Sequence, residues 1–230
     1  MMIHYHGTPL TPRAELQKMA GKHFCVSFAA PQDAEWCLTH AQSVMWDNGA
    51  FTAHTQGRTV DWVDYYRWLE PRLGHPHWAI IPDVIDGPVE DQRAMVAGWP
   101  FRHFGAPVWH MALPIDYLLE LADAWPRVCF GSSGRYWQIG SAAWERRANQ
   151  AFNALAKRHR RLPWIHMLRG LALAGDQWPF ASADSVNVAR NFKDSNTDPE
   201  RMARRIDALQ CPIKWHPRDI QTEIFDATAA

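Results

Sequence analysis

The sequence predicts an α/β protein: a single (β/α)8 barrel of the TIM type spanning residues 1–230 as one domain. Three observations carry that expectation. Eight short apolar runs recur along the chain, amphipathic helix-like stretches lie between them, and no G-x-G-x-x-G turn follows the first run. Strands alternating with helical patterns make βαβ units and a parallel sheet. Eight such units suit closure into a barrel. The missing glycine fingerprint argues against an open dinucleotide-binding sheet.

Taken in order, the predicted strands are Ile3–His6, Phe24–Ala29, Ser43–Trp46, Trp78–Pro82, Val108–Ala112, Val128–Gly131, Trp164–Leu168 and Ser182–Val186. Each is short, rich in β-branched, aromatic or other apolar residues, and followed by Gly, Pro, Asn or Asp, which end strands. The helical stretches are Asp61–Leu73, Val89–Val96, Ile115–Ala124, Ala142–Lys157 and Pro199–Leu209. Two regions break the rhythm: a polar and aromatic excursion at about 132–150, and the polar loop NFKDSNTDPE after the last strand. The closing DATAA is expected to fray.

Composition narrows the function classes. With 47% hydrophobic residues the chain can bury a full core, and its 24 basic and 24 acidic side chains cancel. A strongly basic, nucleic-acid-coating protein is thereby disfavoured, although a local positive patch is compatible with this balance. Thirteen tryptophans exceed ordinary usage, which suits both core packing and stacking on bases. Cys25, Cys37, Cys129 and Cys211 form no C-x-x-C pair, so neither a disulfide framework nor a thiolate zinc site is expected. The start, MMIHYHGTPL, lacks the apolar region of a signal peptide, and no run approaches the roughly 18 apolar residues of a membrane span. A soluble, cytoplasmic protein without membrane partners is the expectation.

Polar residues gather where a barrel does its chemistry, at the carboxyl ends of strands. His4 and His6 lie on the first strand, Asp47 ends the third in WDNGAF, and Asp83 ends the fourth in IIPDVIDG. His110 ends the fifth, GSSG follows the sixth, His166 sits on the seventh, and Asp184 on the eighth within ASADSVNVARN. Carboxylates set among apolar walls are costly unless paired, hydrogen-bonded or employed. Displacement at an anomeric carbon needs one carboxylate to stabilise or trap an oxocarbenium-like centre and another to move a proton.

These segments resemble a known family. WDNGAF is similar to the D-S-G-G-F segment of the tRNA-guanine transglycosylases, and DSVNVARN to their D-C-V-x-P-T-R segment. The series HYHGTP, VSFA, DNGAF, PDVIDG, PVWHMAL, FGSSG and ASADSVNVARN looks closer still to the DpdA-type DNA 7-deazaguanine transglycosylases of phages and bacterial islands, from Ile3 to about Asn191. The resemblance implies exchange of guanine in DNA for a 7-deazaguanine such as preQ0. Asp184 would be the nucleophile and Asp47 the general acid/base, with no cofactor and no metal. Asp83, Gly131, Ser132, Ser133, His110, Asn48, Phe51, His166 and His6 would contact the base, and Arg190, Trp137 and Arg135 the nucleic acid. The family's zinc site is reduced here to Cys211 and His216, and His110 stands for its glutamine. Both departures favour DNA over tRNA. In a phage the location would be the host cytoplasm.

Blander readings stand beside these. Asp184 and Asp47 could cap helices, one of Asp83 and Asp86 could only form a turn, and His4, His6 and His166 could be hydrogen-bonded core residues. GSSG could be a tight turn. Lys157–Arg161 ends a helix leading into the seventh strand, which places it at the opposite face of the barrel. Trp137 and Trp144 are candidates for substrate contact or for surface packing. A rival chemistry is a metal-dependent amidohydrolase using His4, His6, His110 and Asp184 around zinc; another is a non-catalytic nucleic-acid-binding barrel.

Overall fold

The computed structural model describes residues 1–194 and 197–218. The expected fraying of DATAA, and Ser195 and Asn196 of the polar loop, lie outside the described residues. The elements run β1 (Ile3–Gly7), α1 (Arg13–Gln17), β2 (His23–Ser27), α2 (Ala34–His40), β3 (Ser43–Asp47), α3 (Ala50–Thr55), α4 (Trp62–Leu69), β4 (Trp78–Ile80), α5 (Val89–Ala97), β5 (Gly105–Ala106), β6 (Val108–His110), α6 (Ile115–Ala124), β7 (Arg127–Gly131), α7 (Ala142–Arg158), β8 (Trp164–Met167), β9 (Ser182–Ser185), α8 (Asn187–Asn191) and α9 (Pro199–Asp207). The strands form one all-parallel sheet in the order β5-β4-β3-β2-β1-β9-β8-β7-β6, a nearly closed barrel with helices around it.

Nine strands replace the eight expected. The fifth predicted run corresponds to β6, and a two-residue β5 precedes it across Pro107. Proline has no N–H to give a ladder and breaks the strand there. Gly105 and Ala106 pair with β4, whereas Val108–His110 pair with β7. The two ends of the sheet are thus consecutive in the chain, and the Pro107 carbonyl still accepts from the Cys129 N–H at 2.9 Å.

Strand alternation sorts the side chains into layers. Tyr5, Cys25, Met45, Trp78, Ile80, Val108 and Cys129 point inward and fill the barrel. Phe24, Val26, Val44, Trp46, Ala79 and Ile81 point outward under the helices of one side, and Trp109, Val128, Phe130, Ile165, Met167 and Ala183 under those of the other. Of the thirteen tryptophans only Trp137 is exposed, so the excess of indole is mainly core.

Three helices start at side-chain caps. Asp61 accepts from the Val63 and Asp64 N–H groups, Ser141 from Trp144, and Asp198 from Glu200 and Arg201 ahead of Pro199 at the first helical position. The excursion expected at about 132–150 is shorter than that: a 3-10 turn covers Gly134–Tyr136 and α7 begins at Ala142. All four cysteines are free and buried. Among the described residues no helix is long and apolar enough to cross a membrane.

Candidate active site

At the carboxyl ends of the strands a cavity of about 280 Å³ opens, at the small end of ligand pockets. Asp47, Asp83, His110, Gly131, Ser132, Ser133 and Asp184 all line it, together with Asn48, Phe51 and Trp137. Residues predicted from five separate segments therefore meet in one place.

Asp184 is held from below and from one side. β9 alternates so that Ser182 and Asp184 face inward while Ala183 packs outward. The Asp184 Oδ1 accepts the Arg169 N–H at 2.8 Å and lies 3.2 Å from His166 Nε2. His166 Nδ1 is 2.8 Å from Ser182 Oγ, which also accepts from Trp164 Nε1 at 2.8 Å. An indole N–H can only donate, which leaves the Ser182 hydroxyl its proton and a second lone pair to meet His166 Nδ1. A carboxylate oxygen only accepts, so His166 Nε2 donates in its contact with Asp184.

Asp47 sits differently. Its carboxyl takes hydrogen bonds from the Ser27 hydroxyl and, at 3.1 Å, from the Gly49 N–H. Burial nonetheless raises its pKa from 3.8 to about 6, and the neighbouring charges of Asp184 and Asp83 push in the same direction. Gly49 makes the turn possible. It adopts φ 75°, and a Cβ there would come within 3.1 Å of the Ala29 side chain.

Asp83 is clamped on both oxygens. Asn48 Nδ2 donates to Oδ1 at 2.7 Å, and His110 Nε2 is 2.8 Å from Oδ2. Asn48 is itself fixed, since its Nδ2 also donates to the Ile81 carbonyl at 3.0 Å and its Oδ1 accepts from the Ala50 N–H at 2.8 Å. Gly131 is required by His110: a Cβ at 131 would stand 2.9 Å from His110 Nδ1. Among the described residues His110 Nδ1 and Ser133 Oγ are buried and have no hydrogen-bond partner, so a cavity occupant is what could satisfy them. Asp86 also lines the cavity, exposed and at φ 58°, so the buried Asp83 and the turn-forming Asp86 divide the roles left open by PDVIDG.

Several expected contacts do not form. His6 points out of the barrel, with its Nε2 2.9 Å from Asp207 Oδ1 on α9, and His4 Nδ1 lies 3.8 Å from the same oxygen. The two imidazoles do share a side of β1, but Tyr5 and not they face inward. His6 is therefore no base contact, and the four-ligand set of the metal hydrolase does not assemble. Among the described residues no group of three or more His, Cys, Asp or Glu is placed to hold a metal ion. His166 is fully buried beneath Asp184, against Tyr5 and Trp78, and supports the nucleophile candidate without reaching the cavity. Arg190 on α8 and Arg135 are exposed and do not line the cavity. Trp144 is wholly buried, its Nε1 donating to Ser132 Oγ at 2.9 Å, so its place is structural.

Arg169 was missed. It stands two residues past β8 in HMLRG, where a charged residue near a strand end signals a site, but His166 on the same strand drew the assignment instead. Its backbone is left-handed at φ 58°, its Nη2 donates to the Ser132 carbonyl at 2.8 Å, and its guanidinium lies 4.1 Å from the Phe51 ring centroid. Comparison of this chain with family models, with curated proteins and with solved structures found no match, so the chemistry of the site rests on the geometry just described.

Proposed function

We propose that this protein exchanges a guanine base in DNA for a 7-deazaguanine through a covalent glycosyl-aspartate intermediate. The observation that carries the reading is the convergence of Asp47, Asp83 and Asp184, from three different strand ends, on one small cavity, each carboxyl held in a different way. Pairs of carboxyls whose surroundings push them apart in acidity are what acid/base and nucleophilic roles require.

In the first half of the reaction an Asp184 oxygen bonds to C1′ of the target nucleotide. The C1′–N9 bond breaks, and guanine departs with the bonding electron pair and takes up a proton from solvent. In the second half Asp47 takes a proton from the incoming 7-deazaguanine, whose ring nitrogen attacks C1′ and releases the Asp184 carboxylate. Asp83, kept in place by Asn48 and His110, accepts from the donor edge of the base. No redox cofactor is called for, because both halves are substitutions at carbon. A base inside a duplex cannot reach such a pocket, so the target nucleotide is flipped out or single-stranded. DNA is preferred to tRNA because Cys211 packs its sulfur 3.4 Å from the Leu173 carbonyl, in the core and not in a zinc site.

The test is a denaturing gel of the purified protein incubated with guanine-containing DNA and, separately, tRNA, with radiolabelled preQ0 as the exchanging base. A denaturation-resistant adduct and label in DNA, both lost in Asp184→Ala, are the expected outcome. Label in tRNA alone would overturn the DNA assignment. Absence of adduct and label from both would sink the exchange mechanism and leave a binding role.

A further inference from the structure

Among the described residues Arg169 is the one Arg or Lys lining the cavity, which otherwise carries the carboxyls of Asp47, Asp83, Asp86 and Asp184. A polyanion would be repelled from such a mouth unless a cation met it. Arg169 is exposed there, stacked over Phe51, and among the described residues the Ser132 carbonyl is the only acceptor its guanidinium bonds. Stacking and that single bond fix the plane of the fork while leaving donors for a ligand, and a guanidinium fork matches phosphate oxygens.

The main chain of the same residue does separate work. A non-glycine residue at φ 58° is strained, and that turn is what directs the Arg169 N–H onto Asp184 Oδ1 at 2.8 Å. Glycine would make the turn without strain, so the side chain at 169 needs a reason of its own. Gly170 follows because even a Cβ there would fall 2.1 Å from the Met167 side chain.

We propose that Arg169 is a positioning residue in two parts: its backbone N–H aims the Asp184 carboxylate, and its guanidinium docks a phosphate of the DNA strand beside the reacting sugar. The inference rests on the exchange reading for the identity of the strand, but its binding half can be measured without any reaction.

The experiment compares wild type with Arg169→Gly, Arg169→Ala and Arg169→Lys on a short guanine-containing single-stranded oligodeoxynucleotide. Fluorescence anisotropy over a series of salt concentrations gives Kd and its salt slope; single-turnover adduct formation at saturating DNA gives the rate. Both the Gly and the Ala variant should weaken binding about tenfold and lower the slope by about 0.7, the loss of one phosphate contact to a single strand. The Lys variant should keep the slope. At saturation the Ala variant should form adduct at least about threefold more slowly than the Gly variant, because only glycine holds the left-handed turn freely. A higher melting temperature of the Gly variant than of the Ala variant confirms that both are compared as folded proteins. An unchanged salt slope in the Gly and Ala variants would overturn the docking half, and equal adduct rates in those two would overturn the backbone half. If wild type makes no adduct while the slope still falls in the Gly and Ala variants, the exchange reading fails and the docking site stands. If adduct forms and the slope does not change, exchange stands and the docking site fails.

Discussion

Asp47 is folded into a place that disfavours its own charge. With its pKa raised from 3.8 to about 6, the native protein binds more protons than the unfolded chain between about pH 4 and pH 6, so stability falls as pH rises through that window. Asp47→Asn removes the ionisable group and leaves an amide oxygen for the Gly49 N–H. It should therefore be the more stable protein at pH 7.5, by at most about 3 kcal/mol, with the gain vanishing near pH 4; urea unfolding at the two pH values measures this. The same carboxyl should impose a rise in base incorporation through about pH 6, as Asp47 becomes able to take a proton. The Asn variant should show neither the rise nor appreciable incorporation. Equal stability of the two proteins at pH 7.5 would mean that the carboxyl is not strained at all.

Strands show which parts of this molecule were legible. The runs of apolar residues and their turn signals located eight of the nine strands, because most barrel strands are buried on both faces and rich in apolar residues. That same property hid which face looks inward. On β1 the pattern His4, Tyr5, His6 fixes parity but not direction, and the structure turns Tyr5 inward to accept hydrogen bonds from Trp78 Nε1 at 2.8 Å and Ser43 Oγ at 3.2 Å. β5 was unreadable because a two-residue strand has no pattern, and α3 because AFTAHT owes its start to the left-handed Gly49 and not to a polar cap. The outward imidazoles have a task at the level of the element: Asp207 on α9 binds His6 and also Lys22 Nζ at 2.8 Å, fastening the last helix to β1 and to the residue just before β2. Burial alone would raise the pKa of Asp207, yet these two hydrogen bonds hold it below the ordinary carboxylate value. A depressed carboxyl adds stability above its unfolded pKa, and that contribution is lost as pH falls through the lowered value. Asp207→Ala should lower stability by about 1–3 kcal/mol at pH 7, read as a reduced urea midpoint, and far less under strongly acidic conditions. An unaltered midpoint at pH 7 would show that α9 is held by apolar packing alone.

Over the whole molecule the sheet is a hoop joined at its weakest place. At Pro107 the chain passes from β5, paired with β4, to β6, whose ladder is with β7 alone among the described residues. Past the Ile81 N–H bond to the Ala106 carbonyl, the rim between β4 and β6 is spanned by side chains. His110 Nε2 makes that span at 2.8 Å from Asp83 Oδ2, while Asn48, at the end of β3, holds Asp83 and the Ile81 carbonyl from the other side. Asp83→Asn replaces one acceptor of this fastening with a donor, and amide exchange at Val108–His110 should then accelerate relative to β1 and β2. Matching rates in variant and wild type would show that the rim closes without it. The buckle of the hoop is thus the same pair of side chains that would meet the base. An occupant that engages Asp83 must either share the buckle or slip it, and so sets the tension of the entire ring. Tightness at the seam, followed with no chemistry taking place, becomes a gauge of what the cavity holds.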